Sequence, residues 1–363
     1  MNKKFQIAAI VGAIIFSVFI LTSSDPIPIP EPTSYKSNNE SVLVLAENLD
    51  SPRAIAIFDN RVFVTEKNGL IRVVQDNKLL DEPLATLRSA NPFDGGLLGI
   101  TLHPDFSENH LIYVYITYEE DGYLWNKILQ IQESNNKLTD AKTIFDKIPG
   151  SAFTNGGFLK FGPDGKLYIG TGTVSDSSHL PQDVNSLAGK ILRLNDDGTI
   201  PNDNPFLDSP VYTLGHRNPQ GMTWDESGNM YLAEFGPEKN DEINLIIPGK
   251  NYGWPEQQCK GNQKFENAIM CYDPSIEPSG ILYYTGERVS LESPFLMASL
   301  RATSLFQIDF DKGLNSQKTV LSGIGRIRDV AQGQDGSIYV ITSNTDGKGF
   351  PDNMDDKLLR ILK

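Results

Sequence analysis

The stretch Leu159-Lys-Phe-Gly-Pro-Asp-Gly-Lys-Leu-Tyr-Ile169 reads as an apolar strand, an acidic glycine turn and a second strand rich in Leu, Tyr and Ile. Asp-Gly supplies a turn residue that tolerates φ > 0, and the flanking alternation suits half-buried strands. The pattern recurs as Ala54-Ile-Ala-Ile-Phe-Asp-Asn-Arg-Val-Phe-Val64 and as Gly99-Ile-Thr-Leu-His-Pro-Asp105, which runs on to Leu111-Ile-Tyr-Val-Tyr115. It returns as Met222-Thr-Trp-Asp-Glu-Ser-Gly-Asn-Met-Tyr-Leu232 and as Val330-Ala-Gln-Gly-Gln-Asp-Gly-Ser-Ile-Tyr-Val340. A degenerate copy fits around Phe295-Leu-Met-Ala-Ser-Leu-Arg-Ala-Thr-Ser-Leu305, and Gly189–Leu194 and Asp241–Ile246 supply later strands. Units of roughly fifty residues give four strands and one long loop each, the spacing of a β-propeller blade. The expected fold is therefore all-β, a six-bladed β-propeller over about 41–363. Ser41-Val-Leu-Val-Leu45 and Lys357-Leu-Leu-Arg-Ile-Leu362 would share one blade and close the ring. A β-sandwich explains the strands but not the repeat.

Composition agrees. Of 363 residues, 39% are hydrophobic and 21% charged, enough apolar material for a core and too much for a disordered chain. Gly 31 and Pro 22 suit a turn-rich β architecture better than a helical bundle. The net charge of -14 disfavours nucleic acid or an anionic membrane face as a general partner, though local basic pockets remain open. Two cysteines and four histidines exclude a disulfide scaffold, Cys-rich zinc sites and a self-held iron–sulfur cluster.

Lys3 and Lys4 precede an apolar run from Phe5 to Leu21, followed by Thr22-Ser23-Ser24. Residues 1–24 read as a cleaved signal peptide or an uncleaved membrane anchor. Residues 25–40 are a linker, stiffened by a proline at every second position from 26 to 32. This places the domain outside the cytoplasmic membrane, where Cys259 and Cys271 read as one local disulfide, the alternative being two free thiols.

Five loops carry more than a turn needs: Asp94-Gly-Gly-Leu-Leu-Gly99, Thr154-Asn-Gly-Gly157, Gly215-His-Arg-Asn-Pro-Gln-Gly221, Phe235-Gly-Pro-Glu-Lys-Asn-Asp-Glu242 and Gly325-Arg-Ile-Arg-Asp329. At equivalent positions of different blades they would converge on one channel mouth. There they bring together Arg217, Arg326, Arg328 and Arg301, a cluster suited to a carboxylate ligand. The loop around Gly236, Pro237, Asp241 and Glu242 offers the oxygen ligands that Ca²⁺ prefers; a solvated acidic turn is the alternative.

At these residues the chain resembles the glucose/sorbosone dehydrogenase family, soluble quinoproteins with six-bladed propellers. The resemblance is carried by Gly96-Leu-Leu-Gly-Ile-Thr-Leu-His-Pro-Asp-Phe106, Phe161-Gly-Pro-Asp-Gly-Lys-Leu-Tyr168 and Gly215-His-Arg-Asn-Pro-Gln-Gly221. Asp241-Glu-Ile-Asn-Leu-Ile246, Asn251-Tyr-Gly-Trp-Pro255 and Gly325-Arg-Ile-Arg-Asp-Val330 extend it in family order. It implies pyrroloquinoline quinone (PQQ) lying over the channel, with Arg217 and Asn218 in contact and Arg326 and Arg328 flanking. Arg301 stands at what is usually a lysine position. The carbonyls of Gly236 and Pro237 would bind Ca²⁺, with Asp241 close by. A sugar would lose a proton to a histidine base and a hydride to the quinone, and electrons would pass to an acceptor near the membrane.

Three departures stand out. Thr154 occupies the place of the expected histidine, and a threonine cannot usefully accept a proton near neutral pH. Phe235 replaces a residue that is often polar, and Asp94 stands where Gln or Glu is common, itself a candidate base. Of the four histidines, His103 and His216 belong to repeat motifs, His110 lies in a hairpin turn, and His179 is a candidate relocated base. A catalytically impaired propeller that binds a ligand or partner is the competing reading.

Overall fold

The computed structural model of the protein describes residues 42–176, 178–261 and 263–363. The expected leader or anchor and the proline-rich linker lie outside the described residues. Among the described residues no helix is long and apolar enough to cross a membrane. Six antiparallel sheets account for nearly all the regular structure. Blade 1 spans Pro52–Thr86, blade 2 Leu97–Pro149, blade 3 Gly156–Leu214, blade 4 Pro219–Tyr272 and blade 5 Pro278–Ser322. Blade 6 is built from Ile327–Ile361 with Val42–Ala46 added at its outer edge, where Val42 faces Ile361 and Val44 faces Leu359. The ring is closed by this pairing of the two ends, as the sequence suggested.

The six innermost strands pack each against the next, and the last returns to the first. Apolar side chains from both blades fill every interface: Phe63 and Ile112 between blades 1 and 2, Tyr113 and Leu167 between 2 and 3, Ile191 and Leu232 between 3 and 4. Ile243 and Met297 fill the fourth interface, Leu296 and Val340 the fifth, and Val62 with Ile341 the closing one. A sheet buried on both faces needs no polar face, which is why strands such as Leu167–Thr171 and Phe295–Ser299 are buried throughout.

Five copies of the repeated pattern lie on the hairpin joining the innermost and second strands of a blade. The degenerate copy does not. Phe295–Ser299 and Ser304–Ile308 are the second and third strands of blade 5, whose innermost strand is Pro278–Tyr283. A long connection through 284–294 replaces the acidic glycine turn there, so the degenerate copy sits one strand out of phase with the other five.

All six innermost strands carry one extra residue against the second strand at the same end. Such a bulge re-aims side chains and interrupts pairing. In three blades the extra residue is Arg53, Gln220 or Arg328. That end is the mouth of the channel.

Candidate functional site at the channel mouth

A cavity of about 480 Å³ opens at this mouth, lined by Asp94, Thr154, Asp176, Arg217, Phe235 and Glu277 among others. A narrower space next to it shares Asp94, Asn218, Phe235, Glu277 and Lys348 and adds Arg53, Gln220, Arg326 and Arg328. Together they are lined by six basic side chains (Arg53, Arg217, Arg301, Arg326, Arg328, Lys348) and three carboxylates (Asp94, Asp176, Glu277). The sign is opposite to that of the whole chain.

The arginines are held by carboxylates and carbonyls. Arg217 donates to both oxygens of Asp176, at 2.9 and 3.0 Å, and to the carbonyls of Phe235 and Gly236 at 3.1 and 2.7 Å. Its guanidinium lies 5.4 Å from the Trp254 ring centre. Arg326 bonds Glu277 and Asp346, both at 3.1 Å, and Arg301 reaches the other oxygen of Glu277 at 3.2 Å. Arg328 has a 3.4 Å contact to Asp346 and a 3.3 Å bond to Gln220, and its buried Nε has no partner. Burial, and then the neighbouring Arg53, lower Arg328 to about 9. Buried cations with an unfilled donor call for an anion.

Asn218 is a brace: its side-chain oxygen accepts the Gly156 N–H at 2.9 Å and a Gln220 N–H at 3.1 Å, linking blades 3 and 4. Thr154 sits beside it with φ +55°, its hydroxyl buried without a partner. Gly156 and Gly157 follow at φ +65° and +102°, and a side chain at Gly172 would collide with the Thr154 carbonyl. The turn thus needs glycine on both sides.

Asp94 is the least encumbered cavity carboxylate. Among the described residues its single ion pair is a 3.6 Å contact to Lys348, whereas Asp176 is clasped by Arg217 and Glu277 by two arginines. Its backbone N–H donates to the Ala152 carbonyl at 2.9 Å, tying the loops before blades 2 and 3 together.

The structure brings Asp94, Thr154, Arg217, Asn218, Arg301, Arg326, Arg328, Gly236 and Pro237 together. It does not bring Asp241 and Glu242 to one ion. They begin the third strand of blade 4, and successive strand residues point to opposite faces. The Asp241 carboxylate accepts the N–H groups of Gly236, Ile276 and Glu277 and the Ser275 hydroxyl, all at 2.7–2.8 Å. Glu242 turns the other way, accepting the Cys259 N–H at 2.5 Å and an Asn244 N–H at 3.0 Å. Cys259 itself is disulfide-bonded to Cys271. Among the described residues no cluster of His, Cys, Asp and Glu could itself hold a metal.

None of the four histidines lines the cavity. His216 is fully buried, bonded to Thr213 and Glu234 at 2.8 and 2.9 Å and stacked on Tyr252. His103 caps the turn after the innermost strand of blade 2, accepting the Asp105 N–H at 3.0 Å. His179 is exposed at the start of a 3-10 turn. Four side chains were missed from sequence: Arg53, Asp176, Glu277 and Lys348. Arg53 had a signal, because it is the second residue of its innermost strand, as Gln220 and Arg328 are of theirs.

Comparison with known proteins agrees with this architecture. Residues 49–360 match the family model described as Glucose / Sorbosone dehydrogenase. The chain is 31% identical to the aldose sugar dehydrogenase YliI of Escherichia coli, covering 85% of this chain and 91% of that protein. It is 35% identical to quinoprotein glucose dehydrogenase B of Acinetobacter calcoaceticus, over 61% of this chain and 53% of that one. The solved structure of the PQQ-bound aldose sugar dehydrogenase from Streptomyces coelicolor superposes with a TM-score of 0.78 at 35% identity, covering 89% of this chain and 98% of that one. With a family model spanning nearly the whole propeller and relatives matched along most of their length, the chain belongs to the glucose/sorbosone dehydrogenase family.

Proposed function

We propose that the protein is an extracytoplasmic aldose sugar dehydrogenase that binds PQQ and Ca²⁺ at the channel mouth and oxidises a sugar hydroxyl. The observation that carries this reading is the basic cluster with its unpartnered Arg328 Nε, in a chain of net charge -14. A flat polycarboxylate fits such a set of guanidinium donors. Arg217, Arg301, Arg326 and Arg328 would hold it, with Arg53 and Lys348 adding charge beside them. Oxygen donors suit Ca²⁺, and here they are main-chain carbonyls of Gly236 and Pro237. Arg217 donates to the Gly236 carbonyl, an oxygen that a bound metal would share with the guanidinium.

When bound, the quinone with its metal supplies a two-electron acceptor for the hydride leaving the sugar carbon. The chain's own part is to orient the sugar and take its proton. With no imidazole in the cavity, Asp94 is the carboxylate available to accept it. The Thr154 hydroxyl, buried at the cavity wall, cannot hold the sugar's proton. The N-terminal dibasic and apolar run supports an extracytoplasmic setting, with an electron acceptor near the membrane.

Adding PQQ and Ca²⁺ to the purified protein should raise its melting temperature and shift quinone absorbance, and a panel of aldoses should then reduce a dye. R328A should weaken quinone binding at least tenfold. D94N should abolish turnover with binding intact, and T154H should raise turnover. Binding without turnover in every variant would favour the ligand-binding propeller, and absence of quinone binding would sink the cofactor assignment.

A further inference from the structure

Phe93 and Phe153 are two of the most exposed large apolar side chains described, at 67% and 48%, and they touch each other. Their rings stack with centres 4.6 Å apart at 28°. Phe153 lines the cavity and Phe93 directly precedes the cavity residue Asp94. The stack is held by backbone rather than by a core, because the Asp94 N–H donates to the Ala152 carbonyl between the two loops. Phe93 has φ +37° and Thr154, next to Phe153, has φ +55°. Bulky residues in that region are strained, and folding does not require the exposed rings they present. Every hydrophobic cluster of the propeller is complete without them.

We propose that Phe93 and Phe153 form a stacking platform for a second sugar ring, so that the preferred ligand is a reducing disaccharide or longer oligosaccharide. This rests on the sugar-binding reading of the cavity given above. Were a tricyclic cofactor seated in the cavity of about 480 Å³, the space left would be on the scale of one sugar ring. The next ring must lie over the rim. An aromatic face suits the C–H face of a pyranose, burying apolar area on both sides without demanding a charge. The platform thus supplies affinity for the part of the substrate that does not react, and the polar cavity handles the part that does.

Calorimetric titration of the full-length protein, with and without PQQ and Ca²⁺, would compare glucose with maltose and cellobiose. The wild type should bind one of the disaccharides at least fivefold more tightly than glucose. F93A should bring that ratio to about one while leaving glucose affinity within twofold, F153A should also flatten it, and F153Y should restore it. Circular dichroism and sedimentation on each variant check folding and association. A ratio near one in the wild type, a ratio unmoved by F93A and F153A, no sugar binding, or a dimer dissociated by F93A would each overturn the platform. Quinone binding, read separately by melting temperature, distinguishes the two claims. A flat sugar ratio with quinone bound defeats the platform alone, and a retained ratio without quinone binding defeats the cofactor assignment alone.

Discussion

At the corner where blade 4 meets blade 5 the Asp241 carboxylate accepts four hydrogen bonds, whereas beside blade 3 the Thr154 hydroxyl is buried with none. Asp241 sits behind the mouth and holds the lining residues Gly236 and Glu277 in place, whereas Thr154 lines it directly. The first is framework: one side chain fastens the Gly236 loop to the Ser275–Glu277 segment, and so indirectly positions Glu277 between Arg301 and Arg326. The second is a wall whose polarity the fold leaves unspent. A buried polar atom without a partner is unfavourable in the empty protein and becomes useful when a ligand supplies the missing bond.

The largest test breaks the satisfied corner. D241A leaves three half-buried N–H groups and the buried Ser275 hydroxyl without their acceptor and should destabilise the protein by about 3–5 kcal/mol in urea unfolding. A loss below about 1 kcal/mol would erase the contrast. The next probes the neighbouring strand residue. Burial, and then Glu234, push Glu242 up to about 7 from 4.5. The native carboxyl therefore keeps a proton between those values that the unfolded chain has released. Stability from this group is full below about 4.5 and falls as pH rises to about 7. E242Q should flatten that slope, by up to about 3 kcal/mol across the window, in melts at several pH values. The smallest effect is expected at the unsatisfied corner. T154V keeps the β-branched shape at φ +55° and deletes the orphaned hydroxyl, so stability should hold or rise by less than about 1 kcal/mol. A clear loss would reveal a partner for that hydroxyl.

The propeller was legible because its turns are local and repeated: Asp164-Gly165 and Asp335-Gly336 announce their hairpins without reference to anything distant. Blade 5 slipped phase because it lacks that marker between its first two strands. The arginines of the mouth were legible through their loops, but their counter-ions were not. Asp176 and Glu277 come from segments with no motif, and only the packing of neighbouring blades sets them against Arg217 and Arg326. Asp241 and Glu242 looked like neighbouring oxygen ligands because an acidic loop does not announce where a strand begins. Once Asp241 starts a strand, the two must diverge. Lys348 enters from the loop after the second strand of blade 6, close behind the Asp346 that pairs with Arg326 and Arg328.

The extra residue at the mouth end of every innermost strand has an evolutionary corollary. Pairing resumes in register only a residue or two further along each strand, so the side chains at 53, 220 and 328 are uncoupled from the ladder that carries folding. Side chains at these three positions can therefore be exchanged without altering the register of the blades behind them.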